Sequence, residues 1–400
     1  MAVSRRWANL ATAGGAVAAA LFAVFDLIQW ALAYGSDRFH NDFTFYYAAA
    51  RIGLAHGWSS IYDLGLLQNE LDAIGSGIKI AALARFLSPP PLAWAATPFT
   101  PLPFPIAYFL WSAVLLAALA LTWHLAAPGR GRVRLIHLAA AIGWLPVIYC
   151  LQLGQPGLFV ALGVAASYAA LRTGRPVWAG ASLALLALKP QLAFLVPIAL
   201  LVAGRYRAFW SSAVVLGVLG LASAAALGPD GIHTYLDRLA FAATVPVNRE
   251  LTLATVFGNL TVTRGVQAVI AVWAMVLVYR LRRRGPEWIY VTALFGGLLA
   301  TPYMHLDDML MVGLAAWLLL RVASAGWTPV YVFAAVIAIE GEPIWGPLPV
   351  VAAELAGLAL ISIVALRAGG ESDPDLSSAS HDGPSRRQTA EPPPATLQKT

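Results

Sequence analysis

The chain alternates long apolar runs with short polar breaks, and the first break is far longer than the others. Leu10 to Tyr34 is apolar behind Arg5 and Arg6, interrupted by Asp26 and Gln29. The run is too long for the core of a secretory signal, although Ala31-Leu32-Ala33 resembles a cleavage site. It predicts a retained first span with a cytoplasmic N-terminus. From Gly35 to Pro103 the chain turns more polar, with Trp58, Tyr62, Asp63, Glu70, Asp72, Lys79 and Arg85, and offers no full-length span. This stretch predicts a large outer loop. Within it, Phe43 to Leu54 and Leu64 to Ile74 suit short helices lying in the interface with one apolar side. The Pro89-Pro90-Pro91 step resists helix. Leu92 to Phe99 is too short to cross a hydrocarbon layer of about 30 Å, so it is expected to be interfacial or re-entrant.

Further apolar runs extend over Phe104 to Leu125, Leu135 to Leu153, Gly157 to Leu171, Trp178 to Leu188, Leu192 to Ala203 and Phe209 to Leu227. After these come Val262 to Tyr279, Trp288 to Thr301, Met309 to Leu320, Pro329 to Ile339 and Ile344 to Leu366. One span per run gives about twelve crossings. Composition agrees with that class, since 59% of the 400 residues are hydrophobic and 12% charged, with a mean hydropathy of +0.70. A soluble domain carries about twice that charge. The reading is an all-α polytopic membrane protein, 1–367, with a tail over 368–400 too poor in large apolar residues to fold. Alternation from a cytoplasmic N-terminus places Arg130 to Arg134, Arg172, Arg175, Arg205, Arg207, Arg280 to Arg284, Arg321 and Arg367 inside. That is the positive-inside pattern. The net charge of +6 is spread between spans rather than gathered in a patch, so no nucleic-acid partner is expected. A lone Cys150 excludes an intrachain disulfide.

The same alternation sends Asp42, Asp63, Asp230, Glu250, Asp307, Asp308, Glu340 and Glu342 outward, which puts the chemistry on the outer face. Asp42, in Asn41-Asp42-Phe43-Thr44-Phe45-Tyr46-Tyr47, is the candidate catalytic base. Its alternative role is to cap the helix that follows, because Asp accepts from first-turn amides. Polar residues at span ends add Gln155, Lys189, Arg249 and His305 with Asp307 and Asp308, all on the side of Asp42. A cation, an amide, a histidine and carboxylates suit a phosphate-bearing lipid. Lys189 alone would equally snorkel to the headgroups. Asp26 reads as helix–helix glue, and His124 and His137 as polar tips at the cytoplasmic ends. No His or Cys pair has zinc spacing, and no phosphate-binding glycine loop is present, which argues against a nucleotide-driven pump.

Several motifs in order resemble glycosyltransferase family 87: Asp42 to Ala50, Gly57, Ile61-Tyr62-Asp63, Ser88-Pro89-Pro90-Pro91-Leu92, Pro101 to Trp111, Gly154-Gln155, Leu188-Lys189-Pro190-Gln191 and Thr301-Pro302-Tyr303 to Asp308. Ser88 and Pro156 depart from the usual pattern. The resemblance implies a GT-C fold, a bundle of membrane helices whose long, helical first periplasmic loop carries the catalytic carboxylate. It implies a polyprenyl-phosphate sugar donor, with mannose among the sugars, and a lipid or glycan acceptor in the membrane. Asp42 matches the family's acidic position, Lys189 its Lys-Pro step and His305 with Asp308 its late polar motif. Together with the span-end reading, Asp42 is expected as the base, Lys189, His305, Arg249 and Gln155 as donor-phosphate contacts, and Tyr46, Tyr47 and Asp308 as contacts to acceptor or sugar. No cofactor or metal is called for. The rival class is a lipid-linked-sugar transporter or flippase, which predicts a repeat between halves; the long outer loop occurs once.

Overall fold

A computed structural model describes residues 2–80, 85–322 and 326–370, and among them every regular element is a helix. The first apolar run forms α1 (Ala2–Ser36), and the outer segment folds into α2 (Asp42–His56), α3 (Leu64–Ala73) and α4 (Pro90–Ala96). Each begins at a local signal. Asn41 caps α2 by accepting from the Thr44 N–H at 3.1 Å, and Asp63 caps α3 by accepting from Leu66 N–H at 2.8 Å. Pro90 opens α4, where a missing N–H is harmless.

In one respect α2 departs from its expected interfacial position. Phe43 to Ala50 are all buried, so the first two turns are covered on every side, while Leu54 to His56 are exposed. Aromatic and alanine side chains fill successive positions and leave no polar face, which is the pattern of a core helix. Phe43 stacks on Trp111 at 5.0 Å between ring centroids. Gly53 lies under the Trp58 ring, where a Cβ would come within 2.4 Å.

The bundle continues through α5 (Phe104–Ala126), α6 (Arg132–Ile142), α7 (Leu145–Leu153), α8 (Gly157–Arg172), α9 (Pro176–Ala181), α10 (Leu195–Val202) and α11 (Tyr206–Thr244). It closes with α12 (Ala254–Phe257), α13 (Leu260–Leu281), α14 (Pro286–Ala300), α15 (Leu310–Val322), α16 (Trp327–Glu340), α17 (Glu342–Trp345) and α18 (Leu348–Gly370). Among the described residues five helices are long and apolar enough to cross a membrane: Ala13–Ser36, Phe104–Ala126, Tyr206–Thr244, Leu260–Leu281 and Leu348–Arg367. Counting α6 and α7 as one span bent by 57° gives six. Of the about twelve expected runs, five or six thus pass on length and composition, and several others form shorter helices. At 1.5 Å per residue, the 16 residues of α8 and the 15 of α14 extend about 24 and 22 Å.

The α14 helix lies at the centre of the packing. Glu287 to Leu299 are all buried, and α13, α10, α15 and α18 pack around the helix. At Gly296 a Cβ would meet that of Ala274 on α13 at 2.3 Å, so glycine permits the close approach. The long α11 breaks at Gly228, with φ 62° and ψ −179°, followed by Pro229. Its second part turns back over the outer segment, where Tyr235 stacks on Tyr62 at 4.8 Å. The expected tail lies outside the described residues from 371 onward, and α18 itself runs on to Gly370.

Candidate active site

Asp42 occupies the first turn of α2, and the cap is its neighbour Asn41. The structure therefore gives Asp42 no capping duty. Its carboxylate instead meets Gln155, whose Nε2 donates to Asp42 Oδ2. Gln155 reaches it from the end of α7, where Gly154 turns the chain in a left-handed conformation, φ 67°. A Cβ at Gly154 would press on that of Phe43 at 2.8 Å, and the Gly154 carbonyl accepts from Trp111 Nε1 at 2.8 Å. Glycine thus fits both the backbone angle and the close approach to α2.

Lys189 follows a 3₁₀ segment, Ser182–Leu188, that extends α9. Its Nζ donates to Gln155 Oε1 at 3.0 Å and to Asp307 Oδ2 at 3.0 Å, and lies 2.5 Å from Asp308 Oδ1. Those partners match the three donors of an ammonium. Burial works against the charge, but Asp307 and Asp308 outweigh it and hold the lysine protonated. The residue is only 7% exposed, so it does not snorkel to headgroups. A continuous polar chain results, from Asp42 through Gln155 and Lys189 to Asp307 and Asp308.

Burial pushes Asp42 up to about 6; the charge of Asp307 adds to this, while Lys189 and the Gln155 bond oppose it. Burial and the adjacent Asp307 likewise push Asp308 up. His305 is pushed down, chiefly by burial. Its Nε2 is 2.9 Å from Asn248 Oδ1, and Asn248 Nδ2 donates to the Ala242 carbonyl at 2.7 Å. With that amide orientation the neutral ring donates from Nε2.

These groups border a cavity of about 520 Å³. Asp42, Gln155 and Lys189 face it together with Tyr46, Arg249 and His305. Two expected contacts do not. Tyr47 turns its hydroxyl away, donating to the carbonyls of Leu102 at 2.8 Å and Thr100 at 3.2 Å, because those carbonyls end the turn beneath α2. Asp308 stands fully buried behind Lys189, and its Oδ2 accepts from the His305 N–H at 3.0 Å. Sequence reasoning missed Asn248, which joins the end of α11 to the His305 loop, and Arg85, which lines the cavity wall. Asn248 stood beside the singled-out Arg249, and Arg85 was noted only as part of a polar stretch. Among the described residues no three His, Cys, Asp or Glu side chains gather as a metal-binding group.

The fold and cavity define a helical membrane protein with a buried carboxylate and cations converging on one site. A family model for glycosyltransferase family 87 matches residues 86–302, more than half of the chain, and the chain belongs to that family. It is a membrane glycosyltransferase. The matched stretch contains Gln155, Lys189 and Arg249; Asp42, Tyr46, Tyr47, His305 and Asp308 lie outside it. No curated protein and no solved structure matches the chain.

Proposed function

We propose that this chain transfers a sugar from a polyprenyl-phosphate donor to a lipid or glycan acceptor at the outer face of the plasma membrane, with inversion at the anomeric carbon. Mannose is the sugar that the family resemblance favours. Asp42 takes the proton of the acceptor hydroxyl as that oxygen attacks, and polyprenyl phosphate departs from the opposite face. Arg249 and His305 stabilise the charge developing on the departing phosphate, the arginine by its planar fork and the histidine by proton donation once the phosphate's field has protonated it. Gln155 holds the carboxylate of Asp42 in place, and Lys189, whose donors are taken by Gln155, Asp307 and Asp308, holds Gln155. Tyr46 contacts sugar or acceptor from the cavity wall. The observation that carries this reading is a buried carboxylate lining one cavity together with an arginine and a histidine.

A pH profile tests it. The base works ionised, and its carboxyl is pushed up to about 6. Transfer, as kcat/KM, is therefore expected to fall about tenfold per unit below that value and to level off above it. A profile flat from about pH 4.5 to 7.5 would remove Asp42 from the base's role.

Orientation is a separate expectation, motivated by the arginine distribution. Both termini are proposed to be cytoplasmic. Reporter fusions after Arg134, Arg207 and Arg284 should read cytoplasm, and fusions near Asn69 and Asp230 should read the outer side. A cytoplasmic signal at Asn69 contradicts an outward-facing site.

A further inference from the structure

A second hollow lies deeper in the bundle. It is a groove of about 310 Å³ between α5, α6, α8, α15 and α16, and it shares no lining residue with the catalytic cavity. Thr122 and His137 are the polar interruptions in a wall otherwise made of apolar and indole side chains. Its lining includes three exposed residues, Ala140 on α6 and Pro329 and Phe333 on α16, which mark the side on which it opens. In a membrane that side faces hydrocarbon.

Two features select what fills it. The first is one face of α6 that runs along the groove: His137, Ala140 and Ala141 follow at helical spacing and lead to Trp144 at the bend before α7. His137 is half-buried and has no hydrogen-bond partner among the described residues. The second is charge at one end. Thr122, His137 and Leu320 line that end, and two arginines stand just beyond them. Arg134, one turn before His137, donates to the carbonyls of Trp123 at 2.9 Å and His124 at 2.5 Å. Arg321, next to Leu320, donates to the Ala127 carbonyl at 3.0 Å. The end of α5 thus gathers both guanidiniums at the end of the groove. Cations there also serve the helix dipole, but each guanidinium has five N–H donors and these bonds use only part of them. No carboxylate among the described residues forms an ion pair with either arginine. Glu287 accepts from Tyr168 at 2.6 Å instead.

We propose that this groove holds one acyl chain of an anionic phospholipid, whose phosphate rests on Arg134 and Arg321 and whose ester carbonyl accepts from His137. Basic pockets between membrane helices recognise such headgroups, and the arginine fork matches phosphate oxygens. From His137 the chain continues along α6 to Trp144, about 10 Å deeper. The lipid is a resident of the fold, neither sugar donor nor acceptor. Its tail packs against Leu158 and Leu310, at the starts of the helices that follow Gln155 and Asp308. It therefore braces the elements that carry the buried polar chain without entering the catalytic cavity.

The test is tryptophan fluorescence of the purified full chain in maltoside micelles. Bromine on an acyl chain quenches an indole that it touches, so Trp144 reports the tail. The chain has 14 tryptophans, and the Trp144 contribution is the difference between wild type and Trp144→Phe. Phosphatidylglycerol and phosphatidylcholine, each with a dibrominated acyl chain, are titrated in turn. Phosphatidylglycerol is expected to quench Trp144 at about ten- to hundredfold lower concentration, the range of charge-assisted hydrogen bonds. Arg134→Gln should bring phosphatidylglycerol close to the phosphatidylcholine curve, and Arg321→Gln carries the same expectation should Arg134→Gln fail to fold. Ala140→Phe, which narrows the opening from an exposed position, should remove quenching by both lipids. Unbrominated phosphatidylglycerol should relieve the quenching, and farnesyl phosphate should not. Should Trp144→Phe fail to fold, native mass spectra are expected to show phosphatidylglycerol retained by wild type and lost from Ala140→Phe. Equal curves for the two lipids, or quenching that survives Ala140→Phe, would overturn the proposal by reducing the contact to ordinary surrounding lipid. Relief by farnesyl phosphate as effective as by phosphatidylglycerol would overturn it in favour of a prenyl chain. Sugar transfer is not read in any of these measurements, so their failure leaves the transferase reading standing.

Discussion

Asp42→Asn is expected to fold like wild type and to lose sugar transfer by about 10²- to 10⁴-fold, the contribution of a positioned general base. The two halves of that expectation have separate physical grounds. Folding survives because the cap of α2 is Asn41, whose oxygen holds the Thr44 N–H, and because asparagine at 42 keeps an oxygen to accept from Gln155. It also removes one of the carboxylates crowded around Lys189. Activity is lost because a neutral carboxamide cannot take the proton of a hydroxyl. Asn41→Ala supplies the opposite case. Loss of the cap should lower stability by about 1 kcal/mol and leave the catalytic carboxylate in place. If Asp42→Asn transfers sugar near the wild-type rate on purified protein with a defined donor, the base lies elsewhere, with Asp307 the next buried carboxylate along the polar chain.

The second large effect belongs to Lys189. Lys189→Met removes the cation between Asp307 and Asp308, both fully buried, and leaves them facing one another without a counter-charge. Removing one partner of a buried ion pair costs about 3–5 kcal/mol. The variant should therefore accumulate poorly and melt well below wild type. Adding Asp307→Asn and Asp308→Asn removes the stranded charges, so the triple variant should recover folding. It should not recover transfer, since the chain that holds Gln155 against Asp42 is gone. Lys189→Arg should fall between, keeping the charge but forcing a larger planar group into the same space. Normal expression and melting in Lys189→Met would show that the ion pairs contribute little, and normal transfer in the triple variant would separate Lys189 from the site.

Much of this architecture could be read in the sequence where the signal is local. Phe104 to Leu125 and Gly157 to Leu171 form helices at nearly the expected limits, because a long apolar run bounded by proline or glycine carries its own boundaries. Asp42 was open to two readings, base or cap, for a physical reason, since aspartate caps well. Only the bond from the Thr44 N–H to Asn41 gives the cap to its neighbour. The burial of α2 was misread because a short apolar helix looks alike whether lipid or protein covers it. The number of spans is harder to read for the same reason, as α14 shows by being apolar and wrapped in other helices. Gln155, Lys189 and His305 were picked out one by one. Their joining through Asp307 and Asn248 depends on contacts between residues 118 and 57 positions apart, which no local pattern records. Arg85 was passed over because an arginine in a polar loop gives no sign that Phe241 lies beneath it.

The most direct test is a transfer assay on the purified wild-type chain, given a labelled polyprenyl-phosphate sugar of known anomeric configuration and a lipid extract as acceptor. The account predicts that the label moves to a lipid or glycan product with the opposite configuration, that one polyprenyl phosphate is released for each sugar moved, and that Asp42→Asn slows both by about 10²- to 10⁴-fold. Transfer with the configuration retained, or no transfer from any polyprenyl-phosphate sugar, would contradict it.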